Sequence, residues 1–234
     1  MAGIGRPTDT DEFIRVYARK RSDRIRGIMG REVNRFSKDI SVLDVGCGIG
    51  NTLFALGANG FGNIVGFDVE RQLVEYAKNS VPAAHVVVAS AEEIPFRDGA
   101  FDCVICYDLL EHVLKPETVV ENISRVLKQN GILYLSVANG YSINDVLFRL
   151  GGRIIRGRSS HVQKFRRRDV ETLLRNKSFE IEKIAKIRDC VLDYACLPGI
   201  EGILFSSALK TPSRTLGKYM SARWELKATK RGRL

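Results

Sequence analysis

The chain has 234 residues, 44% of them apolar and 27% charged, with a net charge of +10. That balance fits one globular domain with a sizeable core and excludes a disordered chain. No run of about 18 apolar residues is present to span a membrane, and residues 1–12 lack the apolar centre of a secretory leader, so a cytoplasmic protein is expected.

The charge is unevenly placed. Residues 40–140 hold 6 Lys/Arg against 12 Asp/Glu, residues 1–39 hold 10 against 6, and residues 141–234 hold 21 against 9. An acidic centre with basic flanks admits RNA, an anionic lipid or an acidic substrate as a partner. The five cysteines read as small buried residues in a reducing compartment. Cys103 and Cys106 have metal-like spacing but lie on a strand, where residues three apart face opposite sides.

Taken in order, residues 11–37 read as one or two helices. Phe13, Ile14, Tyr17, Ile25, Ile28 and Met29 recur at helical spacing behind an arginine-rich face. Residues 40–45 are a first strand, which runs into Gly46-Cys47-Gly48-Ile49-Gly50 and then a helix over 51–58. A second strand over 63–69 leads to a helix over 71–79. A third strand over 85–90 ends in the polar stretch Ser90-Ala91-Glu92-Glu93. Strand 101–107, helix 115–128 and strand 131–137 follow. Strands alternating with helices at this spacing predict an α/β fold with a doubly wound, mostly parallel sheet. Beyond residue 138 the pattern changes. Residues 141–155 form a basic amphipathic helix, 168–176 another helix, 179–188 a half-buried strand, and 223–228 a last strand.

The glycine turn carries the chemistry. A strand–turn–helix at the carboxyl end of a parallel strand is where open α/β sheets bind nucleotides. The dinucleotide pattern G-x-G-x-x-G needs glycine at position 51, which is Asn51. Asp44, on the strand just before the turn, suits a ligand with ammonium or hydroxyl donors better than a diphosphate. Both features favour S-adenosylmethionine (SAM) over NAD. Asp68, at the tip of the second strand, is placed to accept the ribose hydroxyls, and Val69 to cover one face of the adenine. Polar groups at Ser90, Ala91 and Glu92 are placed to read the adenine edge.

Residues 41–137 resemble the class I SAM-dependent methyltransferases. Val42–Gly50 looks like their first motif and Gly66-Phe-Asp68-Val69 their second. Ala91–Phe96 with Phe101-Asp102 is similar to their third, and Leu127-Lys-Gln-Asn-Gly131 to their turn into the fifth strand. The resemblance implies a seven-stranded sheet whose last two strands form an antiparallel hairpin, filled here by 179–188 and 223–230. It also implies a single domain over 1–234. Its parts are a helical segment (1–39), a SAM-binding core (40–138), a lid or substrate-binding insertion (139–178) and C-terminal strands with an insertion (179–234).

Cys106-Tyr-Asp-Leu-Leu-Glu-His-Val113 is similar to the ubiquinone-biosynthesis O-methyltransferases, as is Ser160–Phe165. The likeness implies that Tyr107 and Arg26 contact SAM beside Asp44, Gly46, Cys47, Gly48 and Gly50. It further implies that Asp108, Glu111 and His112 hold a divalent metal, Mg²⁺ by its carboxylates or Zn²⁺ by its histidine. Asp108 stands where that subfamily has Glu.

A SAM methyl is already activated, so the protein has to orient a nucleophile and exclude water. His112 is the candidate general base, with Glu111 and Asp108 the other candidate catalytic groups. These readings make the chain a methyltransferase that converts SAM to S-adenosylhomocysteine and acts on a small-molecule oxygen nucleophile, with a lipid-tailed acceptor the candidate that the subfamily likeness raises. Residues 141–158 would then touch a membrane surface or close over the site. An RNA methyltransferase is the alternative raised by the basic flanks. Against it stand the missing Asn/Asp-Pro-Pro-Tyr and Pro-Cys motifs and the lack of an RNA-binding module. A catalytically silent nucleotide-binding protein is the non-enzyme alternative.

Overall fold

The computed structural model describes residue 14 and residues 27–139, 162–187 and 223–232. The basic amphipathic stretch 141–155, the proposed membrane contact 141–158, Arg26 and most of the predicted N-terminal helix lie outside the described residues. No described helix is long and apolar enough to cross a membrane.

The elements are α1 (Gly27–Glu32), β1 (Val42–Val45), α2 (Asn51–Ala58), β2 (Ile64–Asp68), α3 (Arg71–Ser80) and β3 (Ala84–Val88). They continue with β4 (Phe101–Tyr107), α4 (Pro116–Val126), β5 (Leu127–Ala138), α5 (Arg167–Arg175), β6 (Phe179–Ile187) and β7 (Arg223–Lys230). One seven-stranded sheet has the order β3-β2-β1-β4-β5-β7-β6. The pairs β1–β2, β1–β4, β2–β3 and β4–β5 are parallel, and β7 lies antiparallel between β5 and β6. Strand order reverses between β2 and β4, on either side of β1, and that crevice at the strand tips is where doubly wound sheets take ligands.

The predicted elements shift mostly at their edges. Helix α4 stops at Val126, two residues before the predicted end. Leu127 is already in the sheet, opposite Phe101. Asn130 then takes a positive φ of 61°. At Gly131 a Cβ would lie 2.8 Å from both Leu127 Cδ2 and the Lys128 carbonyl, so glycine alone fits there. A 3-10 turn over Leu110–His112, which the sequence reading did not place, follows β4.

Each face of the sheet has its own core. Val119, Val120 and Ile123 of α4 and Leu173 and Leu174 of α5 cover one face. Ile28 and Met29 of α1, Leu53 and Leu56 of α2, and Val74 and Ala77 of α3 cover the other. Burying one such large side chain contributes about 1.5–3 kcal/mol.

Two buried carboxylates tie α1 to the end of the chain. Glu32 accepts the Tyr134 hydroxyl at 2.9 Å, pairs with Lys227 at 3.1 Å and also pairs with Lys183. Burial opposes its ionisation, but these donors together hold its carboxyl down at about 2. Glu225 of β7 accepts the Ile28 N–H at 2.7 Å. Its carboxylate fills the space beside Gly27, where an added Cβ would lie 2.0 Å from Oε1.

Candidate active site

β1 is the most protected strand of the sheet, buried at all four residues, and it delivers Asp44 and the glycine turn to the crevice. The turn closes through Gly50 N–H to the Cys47 carbonyl and Cys47 N–H to the Phe67 carbonyl, both 2.9 Å. Gly46 and Gly48 have φ of +72° and +52°, a region that side chains with a Cβ avoid. Nothing lies within 4 Å of where a Gly48 Cβ would point, so the backbone there faces open space. Asp68 reaches across from β2. Its Oδ2 accepts the Gly48 N–H at 2.9 Å and its Oδ1 the Glu70 N–H at 3.0 Å. Both oxygens are thereby oriented, and each keeps a lone pair for a ligand.

A cleft of about 230 Å³ opens above this turn. Among the predicted residues, Gly46, Asp68, Val69, Ser90, Ala91, Glu92 and His112 line it. Leu109, Val113 and Leu114 complete its far wall. These three escaped the sequence reading because nothing in a strand-and-helix pattern marks the turn that presents them. The Ser90–Glu93 stretch is held from behind. The Asn122 amide donates to the Glu92 carbonyl at 2.8 Å, and Arg125 donates to the Ile94 and Phe96 carbonyls at 2.7 Å. Neither supporting residue carries a recognisable sequence signal, since both sit on an otherwise ordinary amphipathic helix.

Asp44 is buried, and its Oδ2 has no hydrogen-bond partner among the described residues. Burial, with a smaller contribution from the charge of Asp68, pushes its carboxyl up to about 7. A buried, unsatisfied carboxylate next to a backbone turn open to a ligand fits the ammonium and nucleoside of SAM. Asp44, Asp68 and the turn would hold it. Cys47 and Gly50 support the turn, and burial drives the Cys47 thiol up.

The candidate metal set does not converge. Asp108 has a positive φ of 52°. Its carboxylate accepts the Ser136 hydroxyl and Arg223 Nη1, each at 2.8 Å. Glu111 turns into the core instead, where Oε1 accepts the Ala138 N–H at 3.1 Å and Oε2 has no partner among the described residues. Burial, then the charge of Asp108, pushes Glu111 up to about 7. Only His112 of the three faces the cleft. Among the described residues, no group of three His, Cys, Asp or Glu side chains could hold a metal ion. The expected Mg²⁺ or Zn²⁺ site is therefore withdrawn. The carboxylates that the resemblance implied would hold the metal are committed to Arg223, Ser136 and a backbone amide. The Tyr107 hydroxyl is likewise directed to Glu225 Oε1, at 3.3 Å.

The topology and the glycine turn define the fold of the SAM-dependent methyltransferases, and the solved structures agree. The chain partnered with the Haloferax volcanii Trm112 methyltransferase activator superposes with a TM-score of 0.70 at 18% identity, over 98% of this chain and 99% of that one. A SAM-dependent methyltransferase from Archaeoglobus fulgidus gives 0.63 at 18%, over 86% and 91%. Residues 43–135 match the methyltransferase domain family. An uncharacterised Methanocaldococcus jannaschii protein is 32% identical over 141 residues, 58% of this chain and 53% of that protein. The ubiquinone biosynthesis O-methyltransferase of Xanthomonas oryzae is 29% identical over 157 residues, 62% of this chain and 64% of that enzyme. The chain thus spans between about half and two thirds of the length of these relatives.

Proposed function

We propose that the protein transfers the methyl group of SAM to an oxygen nucleophile on a small, lipid-like acceptor. The observation that carries this reading is the pairing of Asp68, gripped through both oxygens by backbone amides, with the unsatisfied buried carboxylate of Asp44 across the glycine turn. When bound, SAM supplies a methyl on a sulfonium centre that needs no further activation. Asp44 receives its ammonium group and Asp68 its ribose hydroxyls. Ser90 to Glu92 and Val69 enclose the adenine. The far wall of Leu109, Val113 and Leu114 keeps water from the reacting face. His112 sits on that wall and takes the proton of the acceptor hydroxyl.

The oxygen acceptor and its lipid character rest on the likeness to the ubiquinone biosynthesis O-methyltransferases and on the position of His112. The test is incubation of the full chain with methyl-labelled SAM and fractionated cell extract. Label entering a solvent-extractable fraction, in a base-stable ether, supports the proposal. Label confined to RNA or protein overturns the acceptor, and failure to bind SAM in calorimetry overturns the whole reading.

A further inference from the structure

We infer that the acceptor is an amphiphile carrying both an apolar chain and a phosphate group. This rests on the SAM reading above and extends it to the other half of the cleft mouth. The two halves differ in charge. The β1–β2–β3 side presents Asp68 and Glu92, which suit a cationic donor. Beside the β4–β5 side runs the segment 162–168, which carries four cations and no carboxylate.

That segment is anchored at the cleft. The Val162 and Gln163 N–H groups donate to the Glu111 carbonyl at 2.8 and 3.1 Å. The Gln163 side chain donates to the carbonyl of Leu114, a cleft residue, at 3.3 Å. Phe165 bridges Asn139 at the end of β5 and is buried. In an extended segment the neighbours of an inward residue point outward, and Lys164 and Arg166 are exposed. Arg167 and Arg168 follow, also exposed, in the first turn of α5. Four cations therefore occupy five consecutive positions of this segment, next to the residues that anchor it to the cleft.

A merely solvated surface intersperses both signs. Here four cations stand against two carboxylates over residues 164–171: Asp169, which accepts the Arg166 backbone N–H at 2.7 Å, and Glu171, which takes Arg167 Nε at 2.6 Å. Guanidinium groups match the planar, multiply charged face of a phosphate, whereas one of them satisfies a carboxylate.

The same wall carries apolar surface. Leu114 is 75% exposed and Val162 is 55% exposed, two of the four exposed large hydrophobic residues among those described. A cation cluster beside exposed aliphatic side chains fits a phosphate attached to a hydrocarbon chain. Stacking of nucleic-acid bases needs exposed rings, and the rings here, Phe165 and Trp224, are buried.

The test is calorimetry on the full chain loaded with S-adenosylhomocysteine, after SAM binding has been measured by itself. Loss of SAM binding would refute the functional reading, whereas SAM binding without amphiphile binding would refute only this inference. Monomeric dodecyl phosphate is expected to bind at least about tenfold tighter than dodecyl maltoside or inorganic phosphate. The double variant Arg166→Glu/Arg168→Glu should lose that preference with SAM affinity unchanged, and Arg166→Lys/Arg168→Lys should retain most of it. Phosphatidylcholine vesicles with and without phosphatidic acid form the second arm. Binding that depends on phosphatidic acid places the phosphate on a membrane lipid, and binding of dodecyl phosphate alone places it on a soluble acceptor. Equal affinity for dodecyl maltoside, an unaffected glutamate variant, or binding of tRNA alone overturns the inference.

Discussion

The cofactor side and the acceptor side of the sheet are built on different principles. On the cofactor side the decisive contacts are short in sequence: Gly48 and Asp68, which bond each other, are 20 residues apart. On the acceptor side the partners are remote. Asp108 and Arg223 are separated by 115 residues, and Tyr107 and Glu225 by 118. The first half is a portable strand–turn–helix motif. The second is assembled only when β7 inserts between β5 and β6, and that insertion decides where Tyr107 and Asp108 point.

The largest expected effect tests the portable half. Asp68→Ala removes two charge-assisted hydrogen bonds to the cofactor, about 1.5–3 kcal/mol each. It should weaken SAM binding in calorimetry by at least about a hundredfold. Unchanged affinity would show that the ribose is not held there.

Asp44→Asn comes next. An aspartate raised from 3.8 to about 7 keeps its proton in the folded chain after the unfolded chain has lost it. Its contribution to stability is therefore full below about pH 4 and lost as pH rises through about 7. Replacing it with asparagine should stabilise the ligand-free protein at pH 8 by roughly 1–4 kcal/mol in urea unfolding, while SAM binding falls. A variant that is less stable at pH 8 would show that the site is not strained by this carboxylate.

The assembled half is tested by Glu225→Ala. It leaves the buried Ile28 N–H without its acceptor and should cost about 1–3 kcal/mol. Amide exchange at Ile28 should accelerate ahead of exchange in β1, and uniform acceleration would count against a local clamp. Arg223→Ala gives the smallest effect. The pair with Asp108 is partly exposed and is worth about 0.2–1 kcal/mol. Turnover of a labelled acceptor fraction should fall a few-fold with SAM affinity unchanged, and an altered SAM affinity would place Asp108 on the cofactor side.

The same contrast explains what could be read from the residues alone. Asp68, Val69 and the glycine turn were legible because alternating β-branched runs, glycine spacing and a strand-end carboxylate are local signals. Asp108, Glu111 and His112 read as one metal-binding group only through the resemblance of residues 106–113 to the ubiquinone-biosynthesis O-methyltransferases. A left-handed residue at 108 and the 3-10 turn after it send them in three directions, and no periodicity announces either feature. Arg223 and Ser136 carry no local signal, because their role exists only across strands.

The contact between Gly27 and Glu225 also sets a schedule for folding. Ile28, in the earliest described helix, closes against Glu225, 197 residues further along the chain. Helix α1 must wait, undocked from β7, until that strand has been made. The parallel strands β1 to β4 carry no such dependence and are free to pair as they emerge. A nascent chain stalled before residue 223 should therefore protect β1 from proteolysis and leave the residues around Ile28 open to cleavage.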